Sequence, residues 1–200
     1  MALTGCDAGS GGSDAKPDRA AGGPSVIAPG KPGEAARTLS PQAARKSEDD
    51  TPNSADFRYV TLMIEHHKQA LTLTGLVPER AASGAVKRLA QRIAAAQGPE
   101  TDAMKGWLAN NGGKGRQRSG GHDHAAMAGM ATPEQIDTLR AARGAAFDKL
   151  FLKLMIAHHE GAVTMATEVL SQGNNLQVEE MADDVVSQQS SEIHRMRGLS

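Results

Sequence analysis

Apolar residues in the stretch after residue 53 recur with a period near 3.6, which is the period of an α-helix. Asn53 or Ser54 can cap this helix at its start, and Gly75 should end it. A second stretch with the same periodicity begins near Ser83. Gly98-Pro99 should break or kink that second helix, because proline donates no backbone hydrogen bond. The pattern predicts a helical hairpin.

The last third of the chain shows the same periodicity. Thr132 to Gln135 reads Thr-Pro-Glu-Gln, which supplies an N-cap, a proline in the first turn and a capping-box glutamine. The helix that starts there should run to about Leu170, with a bend near Gly144. A final helix should span about 176–197. This half predicts a second helical hairpin.

The two hairpins are copies of one another. A shift of 92 positions places Leu62–His67 on Leu154–His159 without a gap. Two repeats that are each too small to bury an apolar face should pack together, so we expect an all-α four-helix bundle over 54–200. It would comprise repeat one (54–109), a linker (110–131) and repeat two (132–200). The same shift pairs Asp56 with Asp148, Ala70 with Ala162, Gln97 with Gln189, Glu100 with Glu192, and Met104 with Met196.

The amino-acid composition argues against some functions and folds and points to another. The 22 Lys and Arg residues nearly balance the 23 Asp and Glu residues, which argues against nucleic-acid binding. Three Phe, one Trp and one Tyr are too few to fill the core of a typical β-sandwich. Nine Met and seven His beside a single Cys are the unusual feature. Because Met and His side chains are common metal ligands, this composition suggests metal binding.

The start of the chain predicts an exported protein. Leu3-Thr4-Gly5-Cys6 resembles the lipobox at which a bacterial lipoprotein is cleaved and lipidated, so residues 1–6 read as the remnant of a lipoprotein signal and Cys6 as the lipidation site. Residues 7–53 are rich in Gly, Ala, Ser, Pro and charge, which predicts a disordered tether. We therefore expect a protein that is lipid-anchored on the outer face of the cytoplasmic membrane, or secreted.

The bundle interior should be polar at one level. If the stripes of His, Glu and Met face inward, many polar groups are buried, and this is costly unless they find partners. Two interpretations stay open: a hydrogen-bonded His/Glu network, or a metal site. The candidate metal ligands are Asp56, Met63, His66, His67 and Glu100 in repeat one, with Asp148, Met155, His158, His159 and Glu192 in repeat two.

The ligand types favour copper over iron. Di-iron bundles use Glu-x-x-His on two helices, and no such pair stands at the right helical positions here. Thioether together with imidazole is a softer set that suits Cu(I). The linker offers a second candidate site of the same kind, with the ligands His122, His124, Met127 and Met130. Copper is the expected metal, ahead of iron or another divalent transition metal.

The motifs resemble a family of secreted bacterial proteins, domain of unknown function 305. The resemblance rests on Asp148-x-x-Phe151-Leu152-x-x-Met155-Ile156-x-His158-His159-x-Gly161-Ala162-x-x-Met165 and on Gln189-x-x-Glu192-Ile193-x-x-Met196. Repeat one carries the same pattern, except that Lys68-Gln69 replaces Glu-Gly after the first histidine pair, Leu73 stands where repeat two has Met165, and Gly98-Pro99 interrupts the Gln-to-Glu spacing. The resemblance covers about residues 53–200.

This resemblance implies a ferritin-like four-helix bundle that is exported or membrane-tethered, with copper binding and tolerance in some relatives. Three functions follow, in order of preference. The first is an extracytoplasmic copper-binding lipoprotein that buffers metal or confers tolerance, with the metal ion and the membrane as partners. The second is a structural or interaction module with a hydrogen-bonded His/Glu core. The third is a di-metal oxidoreductase, and an enzyme is the least favoured class.

Overall fold

A computed structural model of the chain describes residues 26–28, 37–39, 50–112 and 127–200. The chain divides into two compact units, residues 1–49 and 50–200. In the first unit, β1 (Val26–Ala28) pairs antiparallel with β2 (Arg37–Leu39). The sequence does not predict this pair of strands. Cys6 and most of the expected tether lie outside the described residues. Among the described helices, none combines the length and the apolar character that a membrane span requires.

The first hairpin contains three helices: α1 (Ser54–Gly75), α2 (Val77–Arg80) and α3 (Gly84–Asn111). Asn53, one of the two predicted caps, is the N-cap of α1, and Asp56 completes a capping box with it. Of the break or kink expected at Gly98-Pro99, the break is wrong, because α3 continues through Pro99, and the kink stays a prediction. Ile93 and Met104 are buried on either side of that proline, so packing of both halves holds the helix together although one hydrogen bond is lost.

The second hairpin contains α4 (Pro133–Ala141), α5 (Gly144–Gln172) and α6 (Leu176–Arg197). The capping box of Thr132 and Gln135 is present. The single bent helix expected from 132 to about 170 is instead interrupted: Ala142 and Arg143 are extended, and Gly144 has a φ of +64°. Glycine tolerates this left-handed backbone at no steric cost, so α5 can start afresh there.

The four long helices form the expected all-α bundle. Helix α1 packs on α3, α5 packs on α6, and α1 and α5 join the two hairpins. The buried apolar residues form two clusters. One cluster contains Ala70 of α1 and Met155 of α5. The other contains Met63 of α1 and Ala162 of α5. The tandem histidines lie between these residues, so a polar layer separates two apolar halves of the core.

Candidate metal centre

Four histidines occupy the middle of the bundle. His66 and His67 come from α1, and His158 and His159 come from the equivalent turn of α5. All four side chains are fully buried. The rings of His66 and His158 face each other across the interface between the repeats, with centroids 3.7 Å apart and planes 36° apart.

The second histidine of each pair binds a glutamate from the partner helix of its own hairpin. His67 Nε2 lies 2.8 Å from Glu100 Oε2, and His159 Nε2 lies 2.7 Å from Glu192 Oε2. Because a carboxylate accepts hydrogen bonds, each ring donates its Nε2–H. The two pairs are equivalent, so the proline before Glu100 leaves its geometry intact.

The first histidine of each pair donates to a backbone carbonyl. His158 Nε2–H donates to the carbonyl of His66 at 3.0 Å, and His66 Nε2–H donates to the carbonyl of Ala128 at 3.2 Å. Ala128 belongs to the end of the linker, residues 127–131, which we call the strap. The strap therefore lies against the His66 ring, and the sequence does not predict this contact.

Each of the four rings has a second nitrogen, Nδ1, without a hydrogen-bond partner among the described residues. The four Nδ1 atoms are buried, and none has a hydrogen-bond partner in the part of the chain that the structure describes. Burial, helped by repulsion from His67 and His159, lowers the pKa of His66 to about 3. Burial also holds the pKa of His158 well below its ordinary value, and the other three rings add to this effect. These two rings are neutral, and an Nε2–H fixed by a carboxylate or carbonyl is the usual support of a metal-binding histidine.

The predicted thioether ligands lie close in sequence to the rings, whereas the predicted aspartates serve another purpose. Met63 and Met155 are fully buried, one turn before His67 and His159. Asp56 accepts backbone hydrogen bonds from Asn53 at 2.7 Å and from Asn174 at 3.2 Å. Asp148 accepts one from Ser83 at 2.8 Å. Each aspartate thus fastens the turn of the other repeat, and among the described residues no hydrogen bond joins either one to a histidine.

Replacing Asp56 with alanine tests this role. We expect the free energy of unfolding to fall by about 2 kcal/mol, because a capping box and a contact between the repeats are lost together. Metal uptake should be unchanged if Asp56 is not a ligand. Urea denaturation and metal titration of the Asp56→Ala variant measure the two effects. Asp102→Ala, at an exposed ion pair with Lys105, is the control and should alter neither; a lower metal stoichiometry in Asp56→Ala would restore the aspartate as a ligand.

Buried polar atoms near this layer also belong to residues outside the predicted ligand set. Gln97 and Gln189 are buried, and neither amide has a side-chain partner within the described ranges. They stand one turn before Glu100 and Glu192, so the duplicated Gln-x-x-Glu register was the available signal. Burial, with the charge of Glu100, raises the pKa of Tyr59, whose hydroxyl is also unpaired in the described region.

In the described part of the chain the candidate donors come in pairs and do not form a ready-made metal cage. Among residues 26–28, 37–39, 50–112 and 127–200, no three His, Cys, Asp or Glu side chains are grouped so that they could hold a metal ion. Met127 and Met130 lie half-buried in the strap, while His122 and His124 fall outside the described residues. The proposed linker site is therefore not tested by the geometry.

Comparison with known proteins identifies the family. The family model for Domain of unknown function (DUF305) matches residues 56–200. The chain belongs to the DUF305 family. A DUF305 fragment from Deinococcus radiodurans has 32% sequence identity and a TM-score of 0.66, covering 74% of this chain and 96% of that one. A DUF305 protein from Streptomyces coelicolor has 30% identity and a TM-score of 0.67, covering 73% and 91%.

A further structural relative of this DUF305 protein is CopM, solved in a Cu(I)-bound form. It has 26% identity and a TM-score of 0.59, and the match covers 72% of this chain and 94% of CopM. CopM has also been solved with Cu(II), with Ag and without metal. No curated protein matches the chain in sequence. The comparisons confirm the family and the helical fold that the motifs predict.

Proposed function

We propose that this DUF305 protein binds Cu(I), or another soft monovalent ion, through the Nδ1 atoms of its tandem histidines. The observation that carries the proposal is the set of four buried rings, each with Nε2 engaged and Nδ1 without a partner in the described structure. A buried nitrogen acceptor without a donor is unfavourable. A metal ion would supply the missing partner. The relationship to CopM, which has been solved with Cu(I) and Ag, supports a soft ion.

The donor set favours Cu(I) over iron. Glu100 and Glu192 already accept the ring Nε2–H groups, so they support the ligands and are not free to bridge two hard metal ions. Imidazole and thioether donors remain, with Met63 and Met155 on the same helices, and such donors suit Cu(I). Cu(I) accepts low coordination numbers, which agrees with donors that come in pairs. The same occupied carboxylates argue against a di-metal oxidoreductase.

Residues of the protein fix the orientation and the tautomer of the histidine rings in the metal-free state. The two glutamates and two backbone carbonyls fix which nitrogen carries the proton and how each ring is turned. Burial keeps His66 and His158 neutral, so binding there need not displace a proton. A buffering or tolerance role outside the cytoplasm fits such a site. The relative from Streptomyces coelicolor is described as secreted, which supports export, while attachment through a lipid at Cys6 remains part of the proposal.

Titration with Cu(I) under anaerobic conditions tests the site. The paired substitution His67→Gln and His159→Gln keeps a donor toward each glutamate but removes Nδ1. We expect it to abolish tight binding. The matched control replaces His122, His124, Met127 and Met130 in the linker and should retain the bundle site. Equal affinity and stoichiometry in the unaltered protein and the double-Gln variant would refute the bundle site, and loss only in the control would move the site to the linker.

A structural module is the second candidate, favoured by the two separate His–Glu pairs. In that case the rings serve only the polar layer, and metal ions leave stability unchanged. A ligand that binds only the folded state raises stability with its concentration. A melting temperature that stays constant as Ag(I) is added, with all four histidines intact, would favour this second function.

A further inference from the structure

A cleft of about 440 Å³ lies between α3 and α6, beside one of the two His–Glu pairs. Its lining combines thioether and carboxylate groups with neutral polar side chains: Glu100, Met104, Met181, Asp184, Ser187 and Gln188. Glu100 is the glutamate that holds His67. The cleft therefore leads to a residue that contacts the buried ring.

The lining has the chemistry to attract a soft cation. Met104 is buried and Met181 half-buried, so two polarisable sulfur atoms lie in the wall. Asp184 is exposed, and the Glu100 side chain keeps 26% of its surface exposed. Thioethers select Cu(I) among the common metal ions, and carboxylates at the mouth of a cleft raise the local concentration of cations.

The other half of the bundle keeps a thioether at Met196, which pairs with Met104, but differs at three other duplicated positions. The repeat pairs Met181 with Leu89, Asp184 with Arg92, and Ala103 with Arg195. The other half of the bundle therefore has an alkyl side chain in place of the Met181 thioether and a guanidinium in place of the Asp184 carboxylate. It also has a second arginine in place of Ala103. Glu192, the counterpart of Glu100, has only 9% of its side chain exposed. The two halves are alike at the histidines but differ in the route that leads to them.

We propose that the cleft between α3 and α6 is the entry site for Cu(I), where Met104, Met181 and Asp184 capture the ion before it passes Glu100 to reach His67. This inference rests on the proposed function. Nδ1 of His67 has no hydrogen-bond partner in the described chain and Nε2 faces Glu100, so Nδ1 is the ring atom that can receive the ion from the thioethers. Repeat two receives no ion by an equivalent route of its own.

The equivalent positions of repeat one suggest two substitutions that test the entry site. Met181→Leu and Asp184→Arg install the residues found at the equivalent positions of repeat one. Stopped-flow spectroscopy can follow Cu(I) as it leaves its coloured, cationic bis(neocuproine) complex for the protein. We expect the double variant to take up Cu(I) about tenfold more slowly, since charge and steering act on the rate of encounter, while stoichiometry and equilibrium affinity stay the same.

Two matched controls separate the cleft from general effects. Asp183→Arg makes the same charge change at the neighbouring exposed position of α6, and Met165→Leu removes a half-buried thioether from α5. Both should leave the rate unchanged. Equal rates in the cleft variant and the unaltered protein would overturn the entry site. So would a loss of affinity in proportion to the rate, because the cleft would then belong to the equilibrium site. Absence of any Cu(I) uptake by the unaltered protein would instead show that the proposed function has failed.

Discussion

Lowering the pH from 7 to 5 should reduce the free energy of unfolding by about 4 kcal/mol. His66 and His158 are buried and neutral, with pKa values below the ordinary 6.5. Below pH 6.5 the unfolded chain binds protons on both rings, whereas the folded chain does not. Stability from these groups is complete above the unfolded pKa and declines as pH falls, down to about pH 3 for His66. Each ring contributes about 1.4 kcal/mol per pH unit.

Urea denaturation at a series of pH values measures this slope. His66→Gln keeps a side-chain amide donor for the Ala128 carbonyl but cannot be protonated, so it should remove about half of the slope. His158→Gln should remove a similar share of the slope. In the double variant the free energy of unfolding should depend only weakly on pH in this range. His194→Gln, on the exposed side of α6, is the control for losing one histidine. A double variant with the original slope would show that other groups govern the acid sensitivity.

The sequence predicts the bundle because its signals are local and occur twice. Thr132 starts a helix with its predicted partner Gln135, and α1 starts at Asn53, one of its two predicted caps, since capping residues are read directly from the chain. Two predictions about breaks failed for opposite reasons. Packing holds α3 together at Pro99, and an extended pair of residues before Gly144 interrupts a helix that the apolar pattern suggested was continuous. Tertiary contacts decide both cases.

The candidate site was only partly predictable because a helical wheel shows the angle of each residue around the helix axis but not its position along that axis. Asp56 and His67 fall on one stripe, yet eleven residues separate them, which is about 16 Å along the axis. The aspartate thus reaches a turn at the end of the bundle while the histidine lies in its middle. Glu100 lies on another helix, and only its register against α1 places it beside His67. That register comes from packing, so the sequence could not distinguish His–Glu pairs from converging ligands.

The strap shows how the two copies have diverged around one contact. Equivalent positions on α1 and α5 carry Gln69 and Gly161. Gln69 holds the strap through two hydrogen bonds to Ala131, at 2.7 and 3.0 Å. Gly161 admits the strap, because its Cα lies against the backbone of residues 128 and 129. One position therefore binds the segment and the other makes room for it, and together they bring the Ala128 carbonyl to His66.

Gly161→Ala should lower the free energy of unfolding by about 2 to 3 kcal/mol. A Cβ at this position would overlap the Ala128 carbonyl oxygen, and backbone cannot move aside as a flexible side chain can. The strap must shift, and the His66 and Gln69 hydrogen bonds then weaken together. Amide hydrogen exchange should accelerate at Ala131, whose N–H donates to Gln69.

Gly106→Ala is the matched control, because a Cβ there meets nothing within 4 Å on the exposed side of α3. Alanine is the better helix former by about 1 kcal/mol, so this variant should be more stable than the unaltered protein. The same helical gain applies at Gly161, and the two variants differ only in what the new methyl group meets. Opposite signs of the two changes are the expected result. A Gly161→Ala protein as stable as Gly106→Ala would mean that the strap does not pack against α5.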